Sequence, residues 1–548
     1  MSEHPTHPDP AGESIHRLEQ QRREKRAASA ALGAEPYGVR IPGLIALAEA
    51  KARYDAAADE EFKAAAKSPQ VGSESRPTQD RRPPDRRPRV RVAGRVMLHR
   101  DNGKLIWLNL RDDTGDLQVA VSERDCAAPG FPLAKLTDLG DVVVAEGPLV
   151  KTRTGEVTVW ASSLVPGAKC LAPPPEKHAG LQDLELRYRH RYVDLWANPE
   201  TIRVFALRSK VVAGIRRFME GRRYLEVETP MLQTLAGGAA ARPFITRMNA
   251  LDIDLFLRIA PELYLKRLLV GGLPRVYEIN RNFRNEGLDK QHNPEFTMLE
   301  AYEAFGDCST VMELTESLVR DAAQTVAREG GGSADLRLPF GDVTIDYGAP
   351  FGRVAYADLF ERALGFAPRD AGGGRARDEA VKRGLIPRDE IGKLDDALVV
   401  NELFEEFAEK SIDPGRPTFI TDYPASLSPL TRPSRTDPRV AERADLFIAH
   451  MEIGPHYTEL NDPDVQEAKF REQLKGLDDE ETTFRTFDED FIRALKVGMP
   501  PAGGLGIGID RLAMVLTNQR TIRDVILFPL MRPDHGQASA DSRDAPPA

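Results

Sequence analysis

Alternation of apolar and polar residues is clearest between Val90 and Val165. Stretches with the two-residue period of a β-strand are separated there by turn signals, among them Asp101-Asn102-Gly103 and Thr154-Gly155. Five short strands at this spacing predict a small closed barrel of the oligonucleotide-binding type. The five predicted strands have the sequences VRVAGRVML, KLIWLNLRD, DLQVAVS, DVVVAEGPLV and EVTVWASSL.

The rest of the pattern predicts a larger region of mixed helix and strand. Helical periodicity runs from Ile202 to Met219, and a short strand then ends at Pro230. The stretch from Gly272 to Phe305 predicts a β-hairpin, and Gly503 to Leu516 predicts a glycine-rich strand that feeds directly into a helix. Residues 330–415 are expected to be an insertion without chemistry. The fold class that follows is α+β.

Segments of linker composition set the expected boundaries. Ser68 to Pro88 is rich in Ser, Pro, Asp and Arg, and LAPPPE at 171–176 is a second break. The helix expected at Ile15–Leu32 is either solvated or in contact with RNA, and the sequence leaves both open. We expect an N-terminal tail, helix and basic linker (1–88), a barrel (89–170), a second domain (171–533) and a disordered tail (534–548).

Composition narrows the class of protein. The 548 residues carry a formal net charge of -10, from 75 basic and 85 acidic residues, which argues against indiscriminate phosphate binding. Three widely spaced cysteines form no metal-binding pattern and suit a reducing compartment. No apolar run approaches the roughly 20 residues of a membrane span, and the N-terminus lacks the form of a secretion signal. We therefore expect a soluble, cytoplasmic protein.

The predicted hairpin carries the most specific chemistry. Its first strand leads into Arg284 and Glu286, and its return strand begins with Phe296. Guanidinium groups bind phosphate through a planar fork, and an aromatic face can stack on a purine. A purely structural hairpin is the alternative, but its charges would need partners once buried. The pattern favours a nucleotide site.

The predicted barrel has one candidate surface for nucleic acid. Trp107 on the second strand, with Arg100 before it and Gln118 on the third, could stack a base and follow a single-stranded backbone. A lone tryptophan in a small barrel is as often part of the core, so both interpretations stay open.

Taken together, these motifs resemble those of the bacterial class II lysyl-tRNA synthetases, from about Ile15 to Pro533. The helix and strand ending at Pro230 match the first class II element, and the hairpin and the glycine-rich strand match the second and third. The strings that point to lysine within the class are GGAAARPF, APELY and TMLEAY. The resemblance implies a six-stranded antiparallel sheet flanked by helices, a barrel that binds the tRNA anticodon, and a homodimer.

The resemblance also implies an activity and the residues that carry it. Lysine and ATP would form lysyl-adenylate, and the lysyl group would pass to tRNA(Lys), with Mg²⁺ as the metal. Arg284 and Arg511 would be catalytic, binding the α- and γ-phosphates. The ATP site would comprise Arg284, Glu286, His292, Asn293, Phe296, Gly508 and Arg511. The lysine site would comprise Gly238, Glu262, Glu300, Tyr302, Tyr457 and Glu459. Asp445 and Glu452 would hold the metal, a salt-bridged pair facing the arginines being the alternative, and Arg100, Trp107 and Gln118 would bind the anticodon.

One departure from the family concerns the residues after Glu452. The family usually has asparagine where this chain has Pro455, and proline has neither a side-chain amide nor an N–H. We expect Asn293 or His456 to compensate, or the affinity for lysine to be reduced.

Three other activities are compatible with parts of the pattern. The first is an aspartyl- or asparaginyl-tRNA synthetase, which shares the barrel and sheet but would need cations around its substrate's side chain. The second is a lysyl ligase that acts on a protein, although such paralogues usually lack the barrel. The third is a non-catalytic RNA-binding regulator, which the loss of a phosphate arginine would favour. Both arginines are present.

Overall fold

The computed structural model describes residues 10–67, 85–172, 181–239, 241–330, 335–368, 374–388, 390–393, 396–428, 430–473 and 487–533. The chain divides into two compact units, Met1–Ile202 and Arg203–Ala548. Most of the expected basic linker, part of LAPPPE and the C-terminal tail lie outside the described residues. No helix in the described ranges is long and apolar enough to cross a membrane.

The first unit is built on a closed five-stranded barrel, as predicted. Strands pair in the order β1-β2-β3-β5-β4, and β4 pairs with β1 to close the barrel, while β6 adds to the outer edge of β4. The strands are β1 (Arg89–Asp101), β2 (Leu105–Asp112), β3 (Gly115–Ser122), β4 (Val142–Lys151), β5 (Val157–Ala161) and β6 (Ser163–Ala168). The helices of this unit are α1 (Pro10–Ala31), α2 (Leu47–Ala52), α3 (Ala56–Lys67), α4 (Gly130–Leu136), α5 (Leu184–Arg189) and α6 (Arg191–Ala197).

The second unit is organised around an eight-stranded sheet. Its strand order is β15-β16-β17-β18-β19-β12-β11-β7, and the six central strands are antiparallel. The two outermost pairs, β15 with β16 and β7 with β11, are parallel. The sheet strands are β7 (Leu225–Glu226), β11 (Arg275–Phe283), β12 (Glu295–Ala304), β15 (Gly352–Ala355), β16 (Thr418–Thr421), β17 (Arg443–Ile448), β18 (Met451–Thr458) and β19 (Ala502–Gly508). The expected six-stranded antiparallel sheet is therefore present and is extended by one parallel strand at each edge.

Five shorter strands and nine helices complete the described part of this unit. The strands are β8 (Leu232–Gln233), β9 (Ile245–Met248), β10 (Ile253–Leu257), β13 (Arg337–Phe340) and β14 (Val343–Asp346). The helices are α7 (Pro199–Gly221), α8 (Glu262–Val270), α9 (Cys308–Gly330), α10 (Tyr356–Leu364), α11 (Arg375–Lys382), α12 (Asp396–Leu403), α13 (Pro463–Gln473), α14 (Glu489–Gly498) and α15 (Ile509–Leu516).

The two faces of the large sheet have different roles. Leu299 and Ala301 of β12 join the apolar core formed with α7, α9 and α15. Because side chains alternate along a strand, the residues between them point to the opposite face. That face carries polar groups and is covered in part by α8, α13 and α14. The sheet therefore separates a packed core from a polar cavity.

The expected insertion divides between two apolar clusters: residues 336–351 join the core of the large sheet, and residues from Tyr356 to Ile412 form a cluster of their own. Helices α10 to α12 pack around Tyr356, whose ring stacks on that of Phe404 with centroids 3.8 Å apart. Such aromatic pairs add to the free energy of burial. This cluster stabilises the residues beside β15 and β16 and contributes no side chain to the lining of the cavity described below.

Candidate active site

A cavity of about 510 Å³ lies on the polar face of the large sheet. It brings together most of the residues that the sequence proposed for ATP and lysine, from segments up to about 270 residues apart in the chain. The proposed residues that line it are Gly238, Glu262, Arg284, Glu286, His292, Asn293, Phe296, Glu300, Tyr302, Glu452, Tyr457, Gly508 and Arg511.

Strand alternation explains why the hairpin supplies so many of them. Phe296, Glu300 and Tyr302 occupy alternate positions of β12 and face the cavity. Arg284 follows the end of β11, where its backbone N–H donates to Pro294 O at 2.9 Å and keeps the two strand ends together. The predicted hairpin thus sets a guanidinium, an aromatic ring and a carboxylate on one surface.

One end of the cavity is cationic. The Arg284 guanidinium carbon lies 5.1 Å from the centre of the Phe296 ring, and its buried Nε has no hydrogen-bond partner among the described residues. Burial lowers the pKa of Arg284, and the charge of Arg511 acts in the same direction. Arginine nevertheless stays ionised in proteins. A guanidinium at the cavity wall with a buried, unused donor, beside the second guanidinium of Arg511, fits an anion such as a phosphate.

Arg511 is held by groups that leave part of its fork available. Its Nη1 donates to Glu452 O at 2.8 Å and lies 3.6 Å from the Glu452 carboxylate. Its Nη2 donates to His292 Nε2 at 2.9 Å, and His292 Nδ1 in turn donates to Asp289 at 2.7 Å. The chain from Asp289 through His292 orients Arg511 toward the cavity.

Asp510, which follows the glycine-rich strand β19, joins three elements. One of its oxygens accepts from Arg208 of α7 at 2.6 Å. The other accepts from the backbone N–H of Thr297 in β12 at 2.7 Å. Asp510 is itself buried at the start of α15. This carboxylate therefore fixes the position of Arg511 relative to the hairpin.

The other end of the cavity is acidic. Glu300 is buried, and its carboxylate accepts from the Tyr302 hydroxyl at 3.3 Å. Burial raises the pKa of Glu300 to about 8, and the charge of Glu262 adds to the rise. No lysine or arginine in the described ranges forms an ion pair with it. A buried carboxylate in this state fits a cationic ligand.

Lys266 is the residue at this end that the sequence analysis missed. It is fully buried on α8, with its ammonium nitrogen 2.6 Å from Glu262 Oε1 and 2.5 Å from Glu459 Oε2. Glu459 does not line the cavity directly, and its Oε1 has no hydrogen-bond partner in the part of the chain that the structure describes. The spacing of Glu262 and Lys266, four residues apart on a helix, was the available signal.

A glycine makes room for Glu459. A Cβ atom at Gly504 of β19 would lie 1.9 Å from Glu459 Oε1 and 2.6 Å from the Tyr302 ring. Both distances are far below van der Waals contact, so no larger residue fits without displacing these side chains. Gly504 therefore has a steric role at the acidic end.

The proposed compensation for Pro455 by His456 is wrong. Pro455 and Tyr457 line the cavity, but His456 lies between them on β18 and points to the opposite face. Its Nδ1 donates to Ala444 O at 3.2 Å, and its Nε2 accepts from the Thr315 hydroxyl at 2.7 Å. Burial lowers the pKa of His456 to about 4, so the ring is neutral. It cannot reach a ligand in the cavity.

The two proposed metal ligands occupy different environments. Glu452 lines the cavity near Arg511, whereas Asp445 is buried outside the lining and binds Arg443 through both oxygens, at 2.9 and 2.6 Å. Arg443 does line the cavity, beside the Tyr457 ring, and the sequence analysis missed it. Among the residues described, no three His, Cys, Asp or Glu side chains could together hold a metal ion.

The barrel carries a separate row of residues on its outer surface. Arg100, Trp107 and Ala120 are directly paired across β1, β2 and β3, and Trp160 of β5 continues the row. Trp160 was not singled out from the sequence, and its indole N–H donates to Asp125 at 3.2 Å. In the next row Gln118 accepts from the Thr158 hydroxyl at 2.8 Å. Trp107 is thus part of an outer row and not of the barrel core.

Comparison with known proteins gives consistent matches for both units. Residues 183–532 match the family described as tRNA synthetases class II (D, K and N), and residues 90–166 match the OB-fold nucleic acid binding domain. The chain is 44% identical over 529 residues to a lysine–tRNA ligase of Pelotomaculum thermopropionicum, covering 95% of this chain and 96% of that protein. It is 46% identical over 462 residues to a lysine–tRNA ligase of Cronobacter sakazakii, covering 81% and 86%. These matches confirm the resemblance found in the sequence: the chain belongs to the class II tRNA synthetase family (D, K and N), among the lysyl-tRNA synthetases.

Proposed function

We propose that this protein attaches L-lysine to tRNA(Lys) in two steps that use ATP. The observation that carries the proposal is one cavity with two guanidinium groups at one end and buried, incompletely paired carboxylates at the other. The guanidinium groups suit the phosphates of ATP, and the carboxylates suit the two ammonium groups of lysine.

In the first step a lysine carboxylate oxygen attacks the α-phosphorus of ATP, and the bond to pyrophosphate breaks. In the second step the 3′-terminal ribose hydroxyl of the tRNA attacks the lysyl carbonyl carbon, loses its proton, and AMP leaves. The lysine carboxylate is already ionised at neutral pH, so the first step needs no protein nucleophile. Catalysis comes from alignment of the reactants and from stabilisation of charge on the phosphates.

Each residue at the cationic end has a proposed role in binding ATP. Arg284 binds the α-phosphate and Arg511 the γ-phosphate. Phe296 stacks on adenine, Glu286 accepts from its amino group, and Gly508 leaves room for the nucleotide. His292 orients Arg511, and Asn293 lies within reach of phosphate or carboxylate oxygens.

At the acidic end, Glu300, Tyr302 and Glu459 receive the ε-ammonium of lysine, and Glu262 with the backbone at Gly238 receives the α-ammonium. Tyr457 forms an aromatic wall. An uncharged isostere of lysine would leave these acceptors unpaired, which is a strong basis for rejection.

Glu452 is a suitable protein ligand for Mg²⁺ in this cavity. Mg²⁺ prefers one or two carboxylates together with phosphate oxygens and water, and Glu452 offers a carboxylate inside the cavity beside the proposed phosphate ligand Arg511. Asp445 could join only if it released Arg443, because both of its oxygens are bound there. When bound, Mg²⁺ would neutralise negative charge on the phosphates.

The barrel is proposed to bind the anticodon. Trp107 and Arg100 would stack on a base and contact the backbone, and Gln118 would read a base edge, since stacking and cationic contacts are how such barrels hold single strands. The proposal includes a homodimer, which the resemblance to the family implies. It also includes a cytoplasmic location, because translation takes place in that compartment.

Pyrophosphate exchange with ATP tests the proposal when lysine, aspartate and asparagine are supplied separately. We expect exchange with lysine only, followed by lysylation of tRNA(Lys). Exchange with aspartate or asparagine would favour the related synthetases. An absence of exchange with all three, together with RNA binding, would favour a non-catalytic regulator.

Replacing Pro455 with asparagine tests the departure from the family. The variant restores an amide donor at the cavity wall, so we expect the KM for lysine in pyrophosphate exchange to fall by up to about tenfold, with kcat unchanged. Pro339→Asn is the matched control, because Pro339 is exposed on β13, away from the cavity. An unchanged KM for lysine in P455N would mean that position 455 makes no substrate contact.

A further inference from the structure

We propose that Lys266 is a specificity-determining positioning residue, which bridges the buried carboxylates Glu262 and Glu459 and holds them in place for the two ammonium groups of lysine. The inference rests on the proposed function and assigns a role to a residue that touches no substrate. The observation behind it is a single buried ammonium that bridges two carboxylates of the acidic end.

The geometry of the bridge is tight. Because Glu262 Oε1 and Glu459 Oε2 contact the same nitrogen at 2.6 and 2.5 Å, the two oxygens are about 5 Å apart at most. Two buried carboxylates at such a separation cannot both stay ionised without a cation, so one would take up a proton. A protonated carboxyl group is a hydrogen-bond donor and a poor partner for an ammonium group. Lys266 opposes this outcome, because its charge lowers the pKa of Glu459 against the effect of burial.

The electrostatics of Lys266 agree with that role. Burial alone would lower its pKa, but the charges of Glu262 and Glu459 outweigh burial and raise the pKa above the usual value for lysine. Burial raises the pKa of Glu459, and the Lys266 ammonium opposes the rise. Lys266 is therefore a permanent cation that belongs to the site and not to the substrate.

The acidic end has more carboxylates than cations that form ion pairs with them. Burial is the largest cause that raises the pKa of Tyr302. The charges of three nearby carboxylates, those of Glu262, Glu300 and Glu459, raise it further. Lys266 is the one cation that forms ion pairs within this described group.

Arg284 and Arg258 also lower the pKa of Glu300 by their charge, but neither forms an ion pair with it in the described ranges. Two of the three carboxylates therefore have no ion-paired cation of their own, and lysine supplies two ammonium groups. The second oxygen of each bridged carboxylate is left to accept from them, Glu459 Oε1 being buried without a partner in the described ranges.

Lys266→Met tests the inference by pyrophosphate exchange. We expect the KM for lysine to rise about 100-fold or more, with a much smaller loss in kcat. The ratio of variant to wild-type KM should fall as pH rises from about 7 to 9, because Glu459, whose pKa Lys266 no longer lowers, then loses its proton. A residue that only supports the fold would give a loss independent of pH.

Lys169→Met is the matched control. The Lys169 side chain is only 6% exposed and also bridges two carboxylates, with Asp138 and Asp141 each at 2.7 Å, but it lies in the barrel unit. We expect it to lower thermal stability without changing the KM for lysine. Lys266→Ala gives a second measurement: propylammonium should restore affinity for lysine in this variant, and propan-1-ol, which is neutral, should not.

The inference is overturned if K266M keeps a KM for lysine within about threefold of wild type, or if its loss is the same at every pH. It is also overturned if K266A stays unfolded or inactive in propylammonium, since Lys266 would then support the fold only. Wild-type protein without lysine-dependent exchange would instead refute the proposed function.

Discussion

Arg284→Ala will lower kcat for lysine-dependent pyrophosphate exchange by about 1,000-fold. Arg284 is half-buried at the cavity wall, with a buried, unused Nε donor and the Phe296 ring alongside. Charge that develops on the α-phosphate in the transition state would lose a preorganised donor, and such losses cost two to three orders of magnitude in rate. The affinity for lysine should change much less, because the acidic end is intact. Initial rates at saturating ATP and lysine measure the effect.

Arg281→Ala is the control for this variant. Arg281 lies on β11, three residues before Arg284, but its side chain is 41% exposed, lies 3.1 Å from Glu295 and does not line the cavity. We expect its kcat to stay within about threefold of wild type, as is usual for surface changes. Equal losses in R281A and R284A would contradict a phosphate role specific to Arg284.

Glu300→Gln will lower kcat/KM for lysine by about 1,000-fold and remove its pH dependence. In the wild type, burial raises the pKa of Glu300 to about 8, while the ε-ammonium of lysine stays protonated to about pH 10. Lysine binds the ionised carboxylate, so its KM should fall about tenfold per pH unit between roughly pH 6 and 7 and level off above 8. Glutamine cannot ionise, and it leaves the ε-ammonium without a counter-charge.

The same pKa predicts how lysine affects stability. The pKa of Glu300 is higher in the folded protein than in the unfolded chain, so its favourable contribution is complete below about pH 4.5 and is lost as pH rises through about 8. Lysine should therefore raise the thermal unfolding temperature more at pH 8.5 than at pH 6.5.

The control is Glu303→Gln, on the same strand. Glu303 faces away from the cavity, where Tyr224 and Arg275 bind it. We expect this variant to keep the wild-type pH profile for the KM of lysine. A profile in E300Q that still follows the wild type would show that another group controls the binding of lysine.

The alternation of apolar and polar residues and the turn residues predicted the elements that form between neighbouring segments of the chain. The barrel strands and the hairpin from β11 to β12 follow from alternation and turn residues, and alternation alone places Glu300 and Tyr302 on one surface. Alternation also places Pro455 and Tyr457 on one face of their strand, and it therefore predicts that His456, between them, points away from the cavity.

Contacts between distant segments could not be read in this way. The bridge from Lys266 to Glu459 joins a helix to a residue 193 positions later, and nothing in either segment alone indicates the other. The pairing of Arg443 with Asp445 is local, two residues apart on β17, but only the packing beside Tyr423 and Tyr457 shows that it leaves Asp445 outside the cavity. The parallel edge strands likewise depend on chain crossovers that no short motif specifies.

Asp510 has a consequence for the order in which the site becomes organised. Its two oxygens connect α7, β12 and the start of α15, so the elements that carry both phosphate arginines are locked together when the protein folds. Binding of ATP then requires little ordering of the protein, and more of the interaction energy remains available for affinity and catalysis. The nucleotide end of the cavity is therefore preorganised by the fold. At the opposite end, the protonation state of Glu300 changes when lysine binds.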